Sequence, residues 1–373
     1  MSKPSSPPEE SVNPGHNPAH ARSHARSRTG RVLAMVGLGA LTFVAVGAGA
    51  AIYTLNNNVT TLAVTDLLSD RPAAPEPDPD DPNAGVPVNI LLLGSDTREG
   101  GNAEIGGADA SVASDTTLVV HLSADRSRVE VVSIPRDSLV DIPECRTSDG
   151  RVLPAVQDTM FNHAFSRGWF NGGDLASATA CAMSTVESLT GLYLDGAVVA
   201  DFSGFSAMVE ALGGVPITIP EAISSPKAGG LTLAAGPQVL TPLEATQLSR
   251  ARTGTGWGLE IGSDLKRIER QQALLSAMAA AVADKNLLTD LPSLTRFLDA
   301  ATESLTVSDS IGSLRDITGL ALSLRSTKMD EIVFTQVPTV ASPKDPARVV
   351  WTEEAATLWE RIAADQPIQS ADQ

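Results

Sequence analysis

A chain of 373 residues with 42% apolar and 19% charged side chains carries enough apolar content for a substantial core, which excludes an intrinsically disordered protein. Its formal net charge of -17 excludes a broad basic face, and with it duplex nucleic acid as the main partner. Any anion site in such a chain has to be local.

Residues 1–31 are rich in Pro, Ser, His and Arg and read as a disordered cytoplasmic tail. Residues 32–55, VLAMVGLGALTFVAVGAGAAIYTL, form 24 uncharged positions in a row, enough for one transmembrane helix. Arg22, Arg26, Arg28 and Arg31 precede this run, so the positive-inside rule places the N-terminus in the cytoplasm and the main domain outside. The expected location is the cell membrane, single-pass, with an extracellular domain. The alternative is a signal peptide cut near Ala48-Gly49-Ala50, although the run exceeds the roughly 7–15 apolar residues of a signal-peptide core.

Residues 56–87 are expected to be an extracytoplasmic linker, because RPAAPEPDPDDPNAGVP at 71–87 should be stiff, extended and self-repelling. The folded domain, 88–284, opens with VNILLL at 88–93, an apolar run of the kind that forms a buried strand. Residues 116–122 and 129–134 read as further strands joined by turn residues 123–128, hence an antiparallel hairpin. A hairpin returns the chain to its starting edge, which brings Asp115 beside Arg136 and Asp137. If the loop 98–114 returns to the same edge, Asp96 and Arg98 join them.

Two cysteines, Cys145 and Cys181, bracket a stretch rich in loop residues. An even count in an oxidising compartment favours a disulfide, contributing about 3–4 kcal/mol in the chain-entropy model. Two buried free thiols are the alternative. Helices are expected at 174–189, 205–212 and 263–283, with Asp174 and Ser263 as N-caps, and strands at 196–200 and 215–219. In the C-terminal part, 285–367, residues 294–324 read as mainly helical, 331–337 as strand and 352–364 as helix, packed on the preceding domain. Alternation of helices and strands gives an α/β or α+β class with a layered sheet.

The segment 249–272, SRARTGTGWGLEIGSDLKRIERQQ, concentrates Arg250, Arg252, Lys266, Arg267 and Arg270 in an acidic chain. A phosphate is the natural partner, since the guanidinium fork matches phosphate oxygens bidentately. At about 100° per residue, Ile261, Leu265, Ile268, Leu275 and Met278 make an apolar core stripe, with Asp264, Arg267 and Gln271 beside it. Arg270 points further away and reads, with Lys266, as a surface bystander. The loop 254–258, GTGWG, reads as a flexible rim. His121 and His163 are the only histidines outside the tail and have no metal-ligand spacing. The chain carries no Gly-x-Ser-x-Gly, Walker loop or His-Glu-x-x-His, which excludes serine hydrolase, nucleotidase and zinc protease chemistry of those types.

In order, GSDTR at 94–98, SDTT at 114–117, SIPRD at 133–137, FNHAF at 161–165, TVESLTG at 185–191, FSGFSAMVEALGGV at 202–215, and RAR followed by DLKRIERQQ resemble the LytR-CpsA-Psr family over 88–283. The resemblance implies an α/β fold, α-β-α layered with a central mixed sheet flanked by helices, and an apolar pocket for a lipid. It implies a phosphotransferase that moves a glycopolymer from a polyprenyl diphosphate carrier to peptidoglycan or, as in some actinobacterial relatives, to a surface protein. Asp96 and Asp115 match carboxylates that hold magnesium, a hard cation suited to oxygen ligands. Arg136, Arg250, Arg252 and Arg267 match arginines that contact the diphosphate, and Asp264 and Gln271 match residues that orient them. Asp137 or Asp115 would accept the acceptor's proton. Asp96 and Arg98 forming a structural ion pair is the alternative reading of that pair. Ala113 stands where the family often has arginine, so that one phosphate contact is either missing or supplied by Arg98, and Leu248 stands where an aromatic is common. A lipid-diphosphate hydrolase and a non-catalytic polymer-binding scaffold are the competing functions.

Overall fold

The computed structural model describes residues 58–76, 85–95, 114–262, 264–284, 299–300, 302–303, 305–312, 319, 323, 327–328 and 331–368. The expected span at 32–55, Asp96, Arg98, Ala113 and the expected N-cap Ser263 lie outside them. No described helix is long and apolar enough to cross a membrane.

In chain order the strands are β1 (Thr60–Leu62), β2 (Val88–Ser95), β3 (Ser114–Leu122), β4 (Val129–Ser133), β5 (Leu139–Ile142), β6 (Cys145–Arg146), β7 (Val152–Leu153), β8 (Val156–Met160) and β9 (Gly196–Ala200). They continue with β10 (Val215–Ile219), β11 (Ile223–Ser225), β12 (Leu231–Leu233), β13 (Gly236–Leu240), β14 (Leu305–Ser308), β15 (Ile332–Gln336), β16 (Thr339–Ala341) and β17 (Val349–Trp351). The helices that position the site are α1 (His163–Gly172), α2 (Leu175–Thr190), α3 (Phe202–Ala211), α4 (Pro242–Arg250), α5 (Asp264–Asp284) and α6 (Glu353–Ala363).

Seven strands form one mixed sheet in the order β1-β14-β9-β2-β3-β4-β15. The expected hairpin is present: β3 and β4 pair antiparallel from Leu118↔Ser133 to Leu122↔Val129, and the Ser123 amide donates to the Arg128 carbonyl across the turn. Alternating side chains of these strands enter two different cores, as a pleated strand requires. Leu91, Leu93, Val119, Val132 and Val199 pack with Phe165, Met183 and Trp359. Leu118, Leu122, Val129 and Val131 pack toward Leu275 of α5. The sheet is thus layered between helices, the α/β architecture expected. Asp174 caps α2 by accepting from the Ser177 amide, as its sequence position predicted.

Three expectations are corrected. Within 294–324, residues 305–308 are strand, not helix: β14 pairs with β9 and β1, and Val307 is buried in the sheet. The alternating, β-branched LTVS favours a pleated surface that only the assembled sheet supplies. Second, the segment read as linker contributes β1, and Arg71 is anchored. Its guanidinium pairs with buried Glu187 at 2.6 Å and stacks 4.0 Å from the Tyr193 ring centroid. Third, Ile261 is 70% exposed and precedes α5, whereas Leu274, outside the expected stripe, is buried in the core around β10 and α4. A helix wedged between the sheet and a second lobe, the core shared by α3, β10–β13 and α4, has two apolar sides, and a single-stripe reading captures only one.

Cys145 and Cys181 form a disulfide with a Cα–Cα distance of 5.2 Å, tying β6 to α2. The chain it encloses holds β7, β8 and α1 as well as loops. Replacing both cysteines with serine is expected to lower stability by about 4 kcal/mol, because the unfolded chain regains the loop entropy that the bridge removes. Thermal unfolding with and without reductant checks this; an unchanged midpoint in the double variant would exclude a stabilising role.

Candidate active site

Asp115 owes its orientation to an irregularity in the sheet. Gly94 pairs with Thr116 and Ser95 with Ser114, so Asp115 is the extra residue of a β-bulge and has no partner on β2. Bulges re-aim side chains, and this one turns a carboxylate out at the sheet rim. Arg136 follows the end of β4 at that rim, as the hairpin predicted, and its Nη1 donates to Asp115 Oδ1 at 2.7 Å.

The rest of the cluster comes from the arginine-rich segment. Arg252 Nη2 donates to Asp115 Oδ2, and Arg267 Nη2 donates to the Asp115 carbonyl at 2.9 Å. Arg267 also pairs with Asp264, whose Oδ1 lies 3.3 Å from Arg136 Nε. Three guanidiniums therefore converge on one aspartate. Burial pushes the Asp115 carboxyl up, but Arg252, Arg267 and Arg136 together outweigh it and hold the group below the ordinary carboxylate range. For Arg136 burial works against the charge, and Asp115 then Asp264 more than restore it, so its guanidinium is held above its usual value. For Asp264 burial dominates and pushes the carboxyl up, with Arg267 and Arg136 offsetting only part of the shift.

Exposure grades across the cluster. The Arg267 side chain is 2% exposed, that of Arg136 21% and that of Arg252 41%. Arg267 is the fixed base of the site, while Arg136 and Arg252 present guanidinium surface to a ligand. Arg136 Nε is buried with no hydrogen-bond partner among the described residues. A buried donor that has an ion pair, here with Asp264, but no hydrogen bond is only partly satisfied and gains if a ligand accepts from it.

Other expected residues take different places. Arg250 lies over the Phe202 ring, its guanidinium carbon 4.7 Å from the centroid. Gln271 donates to the Ser249 carbonyl at 2.9 Å, so its amide holds the end of α4 just before Arg250. Asp137 accepts from Arg348 Nη1 at 2.9 Å and lies 3.6 Å from Arg136 Nε. His163 bonds Thr159 Oγ1 at 2.7 Å, and buried His121 sits between Asn89 and Asp365. Lys266 pairs with exposed Glu269, as expected of a bystander.

Arg270 is not a surface residue. It is 1% exposed, and donates to the Trp257 carbonyl at 2.8 Å and to the Ala251 carbonyl at 2.7 Å. Burial pushes its guanidinium down to about 10, which leaves it charged at neutral pH. The loop 254–258 closes over it, so the helical face that looks solvent-directed in isolation is covered. Nor is that loop a flexible rim. Thr255 and Ser224 exchange both backbone hydrogen bonds, at 3.0 and 2.8 Å. A Cβ on Gly256, whose φ is +84°, would stand 1.9 Å from the Ala222 carbonyl oxygen. Sequence reasoning also missed Phe202 and Arg348. Phe202 stood inside a matched motif, but no local signal marks Arg348.

The carboxylates are oxygen donors of the kind that magnesium takes, but Asp115 Oδ1 and Oδ2 already accept from Arg136 and Arg252, which would have to yield to the ion. Asp115 is an ionised carboxylate, and Asp264 Oδ2 is buried without a hydrogen-bond partner among the described residues. Among those residues no three potential metal ligands converge, so Asp115 would need a further ligand such as Asp96. A cavity of about 600 Å³ opens elsewhere, lined by Ser206, Glu210, Val239, Pro242 and Leu243 among others, and takes in no member of the arginine–aspartate cluster.

The model of the LytR_cpsA_psr family matches residues 53–362. The chain is 26% identical over 270 residues to the cell wall biosynthesis protein LcpA of Corynebacterium glutamicum, covering 68% of this chain and 50% of LcpA. It thus spans half the length of that relative. It is 27% identical over 309 residues to the polyisoprenyl-teichoic acid–peptidoglycan teichoic acid transferase TagT of Bacillus subtilis, covering 81% and 84% of the two chains. Among solved structures, the LytR-Csp2A-Psr enzyme from Actinomyces oris superposes with a TM-score of 0.53 at 18% identity, over 80% of this chain and 96% of that one. The crystal structure of B. subtilis TagT superposes with a TM-score of 0.53 at 22% identity, over 83% of this chain and 100% of that one. Both share the fold.

Proposed function

This chain belongs to the LytR-CpsA-Psr family, and on that premise we propose that it is a membrane-anchored phosphotransferase that moves a glycopolymer from a polyprenyl diphosphate carrier to a cell-wall acceptor, peptidoglycan or a surface protein. The observation that carries this reading is the convergence of Arg136, Arg252 and Arg267 on Asp115 at the rim of the sheet. A diphosphate is the anion that such a set of forks matches. The uncharged run 32–55 would anchor the domain beside a lipid-linked substrate.

In the reaction, an acceptor hydroxyl oxygen attacks the sugar-linked phosphorus in line. The bond from that phosphorus to the bridging oxygen breaks, polyprenyl phosphate departs, and the hydroxyl proton ends on it. Arg136 and Arg252 stabilise charge on the phosphoryl oxygens, and Arg267 holds Asp115 and Asp264 so that no reorganisation is needed at that moment. A loose phosphoryl transition state asks little of a base. Neither expected base, Asp115 or Asp137, has its carboxylate clear of arginine. Magnesium, held by Asp115 with Asp96, would neutralise diphosphate charge.

Incubating the full-length chain with a short-chain lipid-diphosphate sugar, magnesium and acceptor glycan tests the reading. A phosphodiester-linked product, identified by mass, is expected. Free sugar phosphate alone would instead identify a hydrolase, and unchanged substrate would reject catalysis.

A further inference from the structure

Arg348 reaches the site from a part of the chain with no motif of its own. It precedes β17, in the hairpin formed by β16 and β17, and its Nη1 donates to Asp137 Oδ1 at 2.9 Å. The other oxygen of that carboxylate, Oδ2, lies 3.6 Å from Arg136 Nε. Asp137 is therefore shared by two guanidiniums, one of them at the centre of the site.

The hairpin is fastened to this segment independently of the Arg348 side chain. The Val349 amide donates to the Asp137 carbonyl at 3.3 Å, Trp351 Nε1 donates to Ser138 Oγ at 3.1 Å, and Val349 bridges Ser138 in parallel. Trp351 in turn packs against Trp359 of α6, their ring centroids 6.0 Å apart. Truncating Arg348 leaves all of these contacts in place. The side chain has a long ion pair with Asp345, Nε to Oδ2 at 3.7 Å, and its one short contact among the described residues is the one with Asp137.

We propose that Arg348 is a positioning residue for the diphosphate site: it pins Asp137, and Asp137, alongside the nearer Asp264, holds its charge against the Nε edge of Arg136, so that the Arg136 fork faces the ligand. Without Arg348, the carboxylate is free to swing toward Arg136 and compete with phosphate for its donors. The C-terminal hairpin is then part of the binding site and no mere appendage. This rests on the reading of the arginine cluster as a diphosphate site. It also assigns Asp137 to positioning, not to proton transfer.

Calorimetric binding of geranyl diphosphate to the full-length chain tests the inference, and it does not depend on turnover. Arg348→Ala is expected to weaken binding about tenfold, a coupling of the size found within shared ion-pair networks, with an unchanged melting midpoint. The contact is a single one, so an ammonium can replace it, and Arg348→Lys should restore most of the affinity. In an Asp137→Asn background the Arg348→Ala effect should vanish. Binding within twofold of wild type for Arg348→Ala, no rescue by lysine, or an undiminished effect in the Asp137→Asn background would each overturn the inference. No binding by the wild type would overturn both the inference and the diphosphate reading. Intact coupling without glycopolymer transfer would sustain the inference and sink the transferase reading alone.

Discussion

Replacing Arg136 with alanine is expected to lower turnover of a lipid-diphosphate sugar by about 10²–10³-fold, the cost of removing one preorganised donor to a developing oxyanion. Among the described residues, Arg136 is the one guanidinium that touches Asp115, Asp264 and Asp137 at once. It also keeps a buried Nε donor without a hydrogen-bond partner among the described residues. Arg252 and Arg267 remain in the variant, so Asp115 stays paired and the fold should survive. Circular dichroism and a melting curve close to wild type are part of the expectation. Arg136→Lys keeps the charge without the planar fork and should recover only a fraction of the rate. Turnover by Arg136→Ala close to that of wild type would reject a catalytic role for the cluster.

Replacing Arg270 with alanine should be among the most destabilising single changes in the second lobe. It removes two charge-assisted hydrogen bonds, to the Trp257 and Ala251 carbonyls, and leaves both oxygens beneath a closed loop. At about 1.5–3 kcal/mol for each bond to a charged group, the loss is about 3–6 kcal/mol. That corresponds to a drop in melting temperature on the order of 10 °C. Ala251 sits between Arg250 and Arg252, so loosening its carbonyl also frees the two arginines that flank it, and diphosphate affinity should fall with stability. Arg270→Met fills most of the volume but donates nothing, and it separates packing from hydrogen bonding. A surface arginine would give a change within about 0.5 kcal/mol; such a result would contradict the clamp.

Legibility tracked the range of the interactions involved. Turn residues at 123–128 and alternating apolar positions on either side predicted the β3–β4 hairpin, and that hairpin alone brought Asp115 to Arg136, because both facts are local. The helix cap at Asp174 and the strand bounds at β9 and β10 were legible for the same reason. Arg270 was misread because a helical wheel assigns an angle but not what lies at that angle. Here a glycine-rich loop supplies carbonyls where water was expected. Of the C-terminal strands, β15 was legible at 331–337, whereas β14 was misread and β16 and β17 were left unplaced, because a short β-branched segment becomes a strand only when a sheet edge is present to pair with it.

The uncharged run behind basic residues, the focused guanidinium excess in an acidic chain, and the ordered motifs that indicate the family are all readable from the residues in order. Each depends on composition or short spacing, which survive without coordinates. Folding is what turns Asp115 outward on a β-bulge, buries Arg267 and Arg270 of α5, and joins Arg348 to Asp137 from 211 residues away. Those outcomes depend on which surfaces meet, and a buried charge is stable only where the rest of the chain brings it a partner.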